Sequence, residues 1–137
     1  MNLLLGIALT SLMSLGACSS REAEPTVQGN PASVRTAAGA YTLELPPPSK
    51  RFSSQGEVDL EFGVSGPSGA VTGAQVSLEP WMPEMGHGIW NPPVITEIGD
   101  GRYRAKWTFS MSGDWELRFE IQGVEGKGTA VVEVEVE

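Results

Sequence analysis

Residues 102–121, RYRAKWTFSMSGDWELRFEI, have the most regular pattern in this chain. In both halves apolar side chains take every second position, and polar or charged side chains take the positions between them. A period of two residues is typical of a strand with one buried face. The stretch therefore predicts two strands joined by a short turn. The basic outer row of the first strand (Arg102, Arg104 and Lys106) is expected to meet the acidic outer row of the second, in pairs that help to set the register.

The same alternation predicts five further strands, which cover residues 41–45, 58–64, 74–78, 94–98 and 130–136. Asp100-Gly101 predicts a tight hairpin turn, because both residue types tolerate a positive φ. The chain after residue 40 shows no helical period, and its connections are rich in glycine and proline. Seven short strands of this kind are typical of a seven-stranded antiparallel immunoglobulin-like sandwich. A small β-barrel is the alternative fold.

The only cysteine, Cys18, follows an apolar run at residues 3–15 and ends the sequence L-G-A-C. This resembles the lipobox of bacterial lipoproteins, which implies that residues 1–17 are a removed signal peptide and that Cys18 is lipidated. The run is shorter than the roughly 20 apolar residues that span a bilayer. Residues 18–39 are small and polar, so we expect a flexible tether before a domain at residues 40–137. The resemblance implies an extracytoplasmic protein anchored to a membrane by lipid, on the periplasmic face of an outer membrane where the cell has two membranes.

The net charge, the cysteine count and the lack of catalytic motifs exclude several classes of function. The formal net charge is −8, and the nine basic residues are scattered along the chain, which argues against a nucleic-acid-binding surface. A single cysteine rules out an internal disulfide, and no Ser-His-acid set or hydrolase motif is present. Glutamates alternate along the last predicted strand and discourage pairing with another copy. We therefore expect a monomer that is not an enzyme.

The stretch from Trp81 to Trp90, WMPEMGHGIW, contains two of the five methionines and the only histidine. Thioethers and an imidazole are suitable ligands for Cu(I), whereas Zn(II) favours more His or Cys and Ca(II) needs an oxygen cage. In an antiparallel sandwich the first, third and fifth connections emerge at one end. Met111, at the end of the fifth predicted strand, should therefore lie near this loop. These observations predict a copper(I) site with the ligands Met82, Met85, His87 and Met111, shielded by Trp81 and Trp90.

Each of these residues has a purely structural alternative. Met82 and Met85 can fill gaps at the end of the sandwich, because methionine adapts to irregular spaces. His87 can be an exposed turn residue between two glycines, and Met111 can be a core residue. In that case the loop serves as a hydrophobic lid or as a contact surface for another protein.

Three short motifs resemble those of a known family. They are M-P-x-M-G-H-G at residues 82–88, G-x-Y-x-A at residues 101–105, and aromatic-x-F-x-M-x-G-x-W-x-L at residues 107–117. The order is similar to that of YtkA-like domains and the related FixH-like proteins. The resemblance implies an extracytoplasmic immunoglobulin-like domain, and FixH-like relatives are associated with the maturation of copper-containing haem-copper oxidases. Met82, Met85, His87 and Met111 match the family's motif positions.

Residues and resemblance together predict a lipid-anchored protein that binds or delivers copper, in metalloenzyme assembly or in copper handling. Its expected partners are the membrane, through Cys18, and a copper protein or oxidase assembly partner. The alternative function is a structural or protein-binding lipoprotein without a metal, which uses the loop from Trp81 to Trp90 as its contact surface.

Overall fold

The computed structural model describes residues 26–27, 33–37, 40–46 and 52–137. The predicted signal peptide, Cys18 and most of the predicted tether lie outside the described residues. All regular structure in these ranges is extended. Accordingly, the described part of the chain has no helix with the length and apolar character needed to cross a membrane.

All seven predicted strands are present, with somewhat different bounds. They are β3 (Thr42–Glu44), β4 (Glu57–Gly66), β6 (Gln75–Met82), β8 (Val94–Gly99), β9 (Arg102–Thr108), β10 (Gly113–Gly123) and β11 (Gly126–Val136). The described residues add four strands of two or three residues, namely β1 (Thr26–Val27), β2 (Ser33–Arg35), β5 (Gly69–Ala70) and β7 (His87–Gly88). Such short strands have no detectable period, so the sequence pattern did not predict them.

The described strands form two sheets, with apolar side chains of both at their interface. One sheet has the order β1-β11-β10-β6-β7, and the other has the order β2-β3-β4-β9-β8 with β5 paired to β4. All of these pairings are antiparallel except that of β1 with β11, which is parallel. The core contains large buried side chains from both sheets, including Phe62, Tyr103, Trp115 and Phe119. This arrangement confirms the predicted immunoglobulin-like sandwich.

The predicted partner of the basic row on β9 is wrong. β9 pairs with β4, so Arg104 lies opposite Glu61 and Lys106 lies opposite Asp59. β10 belongs to the other sheet. The physical reason is that β9 and β10 each have one apolar face, and the turn between them carries the chain across the core so that both faces become buried. The ion pairs of β9 with β4 lie at the surface, so each contributes little to stability.

The folded unit begins before the predicted boundary between residues 39 and 40. β2 pairs with β3, and Val34 at its centre is only 1% exposed. Thr36 is also buried, and its hydroxyl donates a hydrogen bond to the Tyr41 carbonyl over 3.0 Å. Residues 33–37 are therefore part of the domain. A three-residue strand with one apolar side chain is too short for the alternation to distinguish it from a polar tether.

The connections after β3, β6 and β9 meet at one end of the sandwich, as predicted. Phe52, from the connection after β3, lies 6.1 Å from Trp107 and 5.9 Å from Phe109 between ring centroids. Phe109 in turn lies 5.1 Å from Trp115 at the start of β10. The His87 ring, from the connection after β6, lies 6.3 Å from the Trp115 ring. These aromatic rings form a continuous cluster at this end of the sandwich, and the cluster lies against the loop from Trp81 to Trp90 through the contact of Trp115 with His87.

Candidate metal site

The predicted metal-binding loop is a hairpin. Trp81 and Met82 at the end of β6 pair with Gly88 and His87 of β7. The Met82 carbonyl accepts hydrogen bonds from the backbone amides of Met85, over 3.3 Å, and Gly86, over 2.9 Å. Gly86 has a φ of +66°, a conformation that glycine adopts without strain. The turn at residues 83–86 therefore has a defined backbone, and it places Met85 at its tip.

Met82 and His87 project from the same face of this hairpin. They are direct partners in the antiparallel register, and side chains of directly opposed residues lie on one side of a sheet. Met82 is buried in the core, and the half-buried His87 ring makes a T-shaped contact with the Trp115 ring. Two of the four predicted ligands are thus neighbours on the inner face of one hairpin.

Trp115 connects this hairpin to the turn that carries Met111. Its indole Nε1 donates a hydrogen bond to the Met111 carbonyl over 3.2 Å, while its ring contacts His87. A second contact joins the hairpin to the start of β10, because the methyl carbon of Met82 occupies the space beside Gly113. A Cβ added at Gly113 would lie 2.7 Å from Met82 Cε. The structure therefore brings Met82, His87 and the backbone of Met111 together around Trp115.

The hydrogen bonding of His87 defines its metal-binding atom. Its Nδ1 lies 2.9 Å from the Gly88 carbonyl oxygen. A carbonyl oxygen can only accept, so the hydrogen bond requires a proton on Nδ1. In the neutral ring Nε2 then carries the free lone pair. Backbone carbonyls commonly orient metal-binding histidines in this way. His87 is consequently prepared to donate to a metal through Nε2.

The four predicted ligands differ in exposure. Met82 is only 4% exposed and packs in the core, which agrees with its gap-filling alternative. Met111 is 38% exposed, so the alternative in which it is a core residue is wrong. Met85 is 59% exposed at the tip of the turn. Of the three candidate thioether ligands, Met82 is thus buried, whereas Met85 and Met111 are accessible to solvent.

The aromatic residues around the loop differ from the prediction. Trp90 is 93% exposed, so the shielding role predicted for it is wrong. The guanidinium of Arg118 lies 4.9 Å from the centre of the Trp81 ring, a cation–π contact on the outer side of the sheet. Trp115, an apolar position of the second strand predicted within residues 102–121, is the tryptophan whose ring contacts His87. The alternation of residues 115–121 marks Trp115 as a buried position and gives no sign of its contact with His87.

Carboxylates lie beside the site on the outer face of β10 and β11. Asp114 pairs directly with Glu135, and Glu116 pairs directly with Glu133. Arg118 makes an ion pair with Glu116 over 2.7 Å. Directly opposed like charges destabilise a sheet slightly, but they also create a negative potential that attracts cations. No group of three or more His, Cys, Asp or Glu side chains in the described ranges is arranged to hold a metal ion. Metal binding here would depend on the thioethers.

Comparisons with known proteins agree with the fold. Seven chains of solved structures match this one. Among them is the crystal structure of the Lin-41 filamin domain, with 12% sequence identity, a TM-score of 0.53, and coverage of 74% of this chain and 96% of that domain. Such low identity shows the fold alone. No curated protein matches the chain. A family model described as YtkA-like matches residues 35–120. Because that match covers more than half of the sequence, the chain belongs to the YtkA-like family.

Proposed function

We propose that this protein binds Cu(I) at the end of the sandwich and is a copper-handling protein held outside the cytoplasm by a lipid on Cys18. The proposed site comprises Met85 and Met111 at the solvent-exposed rim, with Met82 and His87 on the inner side. The main supporting observation is that Trp115 touches the His87 ring and also holds the backbone of Met111. Thioether sulfur and imidazole nitrogen are ligands that favour Cu(I).

Local order and charge also support this proposal. The hairpin fixes the backbone of three of the four residues, and the Gly88 carbonyl leaves Nε2 of His87 free to bind a metal. The adjacent carboxylates favour the approach of a cation. Within this proposal, FixH-like relatives suggest a role in supplying copper to an oxidase or to another extracytoplasmic copper protein.

Competition for Cu(I) with a chromophoric chelator tests metal binding. All chains carry Cys18→Ser, so that no thiol competes. We expect the chain with only this change to take copper from the chelator, and His87→Ala with Met85→Ala to weaken binding by more than about 10-fold. Even the loss of a residue that only supports a ligand costs 10–100-fold in metal affinity. Trp90→Ala is the matched control, because it alters an exposed residue of the same loop that has no donor atom. Equal competition by the unaltered site and the double variant would contradict the proposal.

Lipid attachment is tested separately in cells. We expect the wild-type protein to remain with the membrane fraction and Cys18→Ser to be released or left unprocessed, because the lipid is attached through the thiol. Unchanged membrane attachment of the variant would contradict lipidation at Cys18.

A metal-free contact surface is the second candidate function. It is favoured by the exposure of Trp90, since tryptophan is enriched among the residues that dominate protein interfaces. The copper titration separates the two candidates. A chain with no measurable affinity for Cu(I) would leave the contact surface as the better explanation of the loop.

A further inference from the structure

The two sides of the candidate copper site differ in their access to solvent. Met82, on the inner side, is 4% exposed and packs against Gly113. His87, also on this side, is held by Trp115 and the Gly88 carbonyl. On the outer side Met111 is 38% exposed and Met85 is 59% exposed. An incoming ligand would therefore approach from the side of Met85 and Met111.

Of the two rim methionines, Met85 is less restrained. Met111 lies in the turn between β9 and β10, and its backbone carbonyl accepts a hydrogen bond from the buried Trp115. Met85 lies at the tip of a hairpin, where the hydrogen bonds to Met82 hold the backbone but leave the long side chain exposed. Methionine has three rotatable side-chain bonds and adopts several conformations easily. Its thioether can thus leave a metal without any movement of the backbone.

We propose that Cu(I) enters and leaves this site by associative exchange at Met85. This inference rests on the proposed copper-binding function. A soft donor of the partner, a thioether or thiolate, forms its bond to Cu(I) from the solvent side as the bond from Met85 sulfur breaks. Copper remains Cu(I) throughout, so no oxidant or reductant is needed, and a partner thiol releases its proton to water. Met82 and His87 hold the ion until the new bond has formed.

By this route, copper passes directly from the protein to an acceptor. A site closed on all sides would release its ion before the acceptor could bind, and the rate would then be independent of the acceptor. At an open rim the acceptor takes part in the slow step, and the rate rises with its concentration. The partner class implied is an extracytoplasmic protein that presents a soft sulfur ligand to the rim.

Stopped-flow transfer of Cu(I) to bicinchoninate, a chromophoric Cu(I) chelator, tests the route. The full chain with Cys18→Ser is loaded with one equivalent of Cu(I) and mixed with increasing excesses of chelator. We expect the observed rate to rise linearly with chelator concentration. Met85→Ala should be several-fold faster at each concentration, because it leaves one coordination position open. Trp90→Ala, which alters an exposed residue of the same loop, should match the unaltered loop.

The possible outcomes distinguish a failure of the exchange route from a failure of the proposed copper-binding function. A rate independent of chelator concentration, in a chain that binds Cu(I), overturns associative exchange and leaves the proposed function standing. A linear dependence with no change in Met85→Ala overturns the assignment of entry to Met85. A chain that binds no Cu(I) overturns the proposed function and the exchange route with it.

Discussion

Gly113 lies where the start of β10 packs against Met82, one of the candidate ligands. Its φ is +133°, and a Cβ there would lie 2.7 Å from the Met82 methyl carbon. We expect Gly113→Ala to lower the free energy of unfolding by about 1–3 kcal/mol, because the backbone is strained and the side chains are overpacked. Chemical denaturation followed by tryptophan fluorescence measures this loss.

Gly126→Ala is the matched control for this prediction. Gly126 also has a positive φ, +105°, but an added Cβ would meet no atom within 4 Å. The control thus reports backbone strain without the clash. Met82→Ala should reduce the cost of Gly113→Ala, since the clashing methyl group is removed. If the two glycine variants lose equal stability, packing against Met82 has no part in the effect.

The sequence identified the candidate ligands but not their supporting residues. Met82, Met85, His87 and Met111 were singled out because their side-chain chemistry is unusual for connecting segments. Trp115 was not, because a tryptophan in phase with a buried strand is indistinguishable from ordinary core. Its contact with His87 depends on the path of the chain between two sheets. The exposure of Trp90 likewise depends on how the loop leaves the sheet.

The long strands could be predicted from the sequence, whereas the shortest ones could not. β10 and β11 have 11 residues each, and their alternation fixed both their existence and their inner faces. β5 and β7 have two residues each, so they owe their existence to the turns around them. The turn at Asp100 and Gly101 was predictable because both residues adopt a positive φ there. The pairing of β9 with β4 was not, because alternation identifies a strand's buried face but not its neighbour.

Tyr103 links β9 to the connection between β5 and β6. Its hydroxyl donates a hydrogen bond to the Val71 carbonyl over 2.9 Å and accepts one from the Ala74 amide over 3.2 Å. Burial raises the pKa of Tyr103 above its ordinary value of 10.0. Unfolding therefore favours ionisation, and the free energy of unfolding should fall as the pH rises above about 10. The stabilisation is complete below that pH and disappears as the pH passes the pKa of the folded state.

Tyr103→Phe tests this link by denaturation at neutral and alkaline pH. We expect a loss of about 1–3 kcal/mol at neutral pH, because the variant leaves the Val71 carbonyl and the Ala74 amide without this partner. Above about pH 10 the variant should lose stability less steeply than the wild type. Tyr41→Phe, which keeps Tyr103, serves as the comparison and should retain the Tyr103 contribution to the fall. Identical pH dependence in wild type and Tyr103→Phe would contradict the link.

For the molecule as a whole, the sandwich class was predictable but the start of the domain was not. Seven alternating segments need two sheets to bury their apolar faces, so the architecture follows from their number and spacing. The segments before residue 40 are short, and their contribution comes from pairing with distant strands. β1 lies along β11, and Ala37 forms an isolated bridge with Thr129. Local composition gives no indication of such long-range pairing.

Removal of the segments before residue 40 should therefore destabilise the whole sandwich. A chain that starts at residue 40 loses β2 with the buried Val34, the Thr36 hydrogen bond and the strand along β11. We expect it to be about 2–4 kcal/mol less stable than a chain that starts at residue 26, because burial of one valine contributes about 1.5–3 kcal/mol and a hydrogen bond about 1 kcal/mol. It should also aggregate more readily, since the outer edge of β11 becomes exposed. Urea denaturation and light scattering measure both effects, and Val34→Ala in the longer chain isolates the core contribution. Equal stability of the two chains would mean that residues 33–37 do not belong to the cooperative fold, and that the tether extends to residue 39 as the composition predicts.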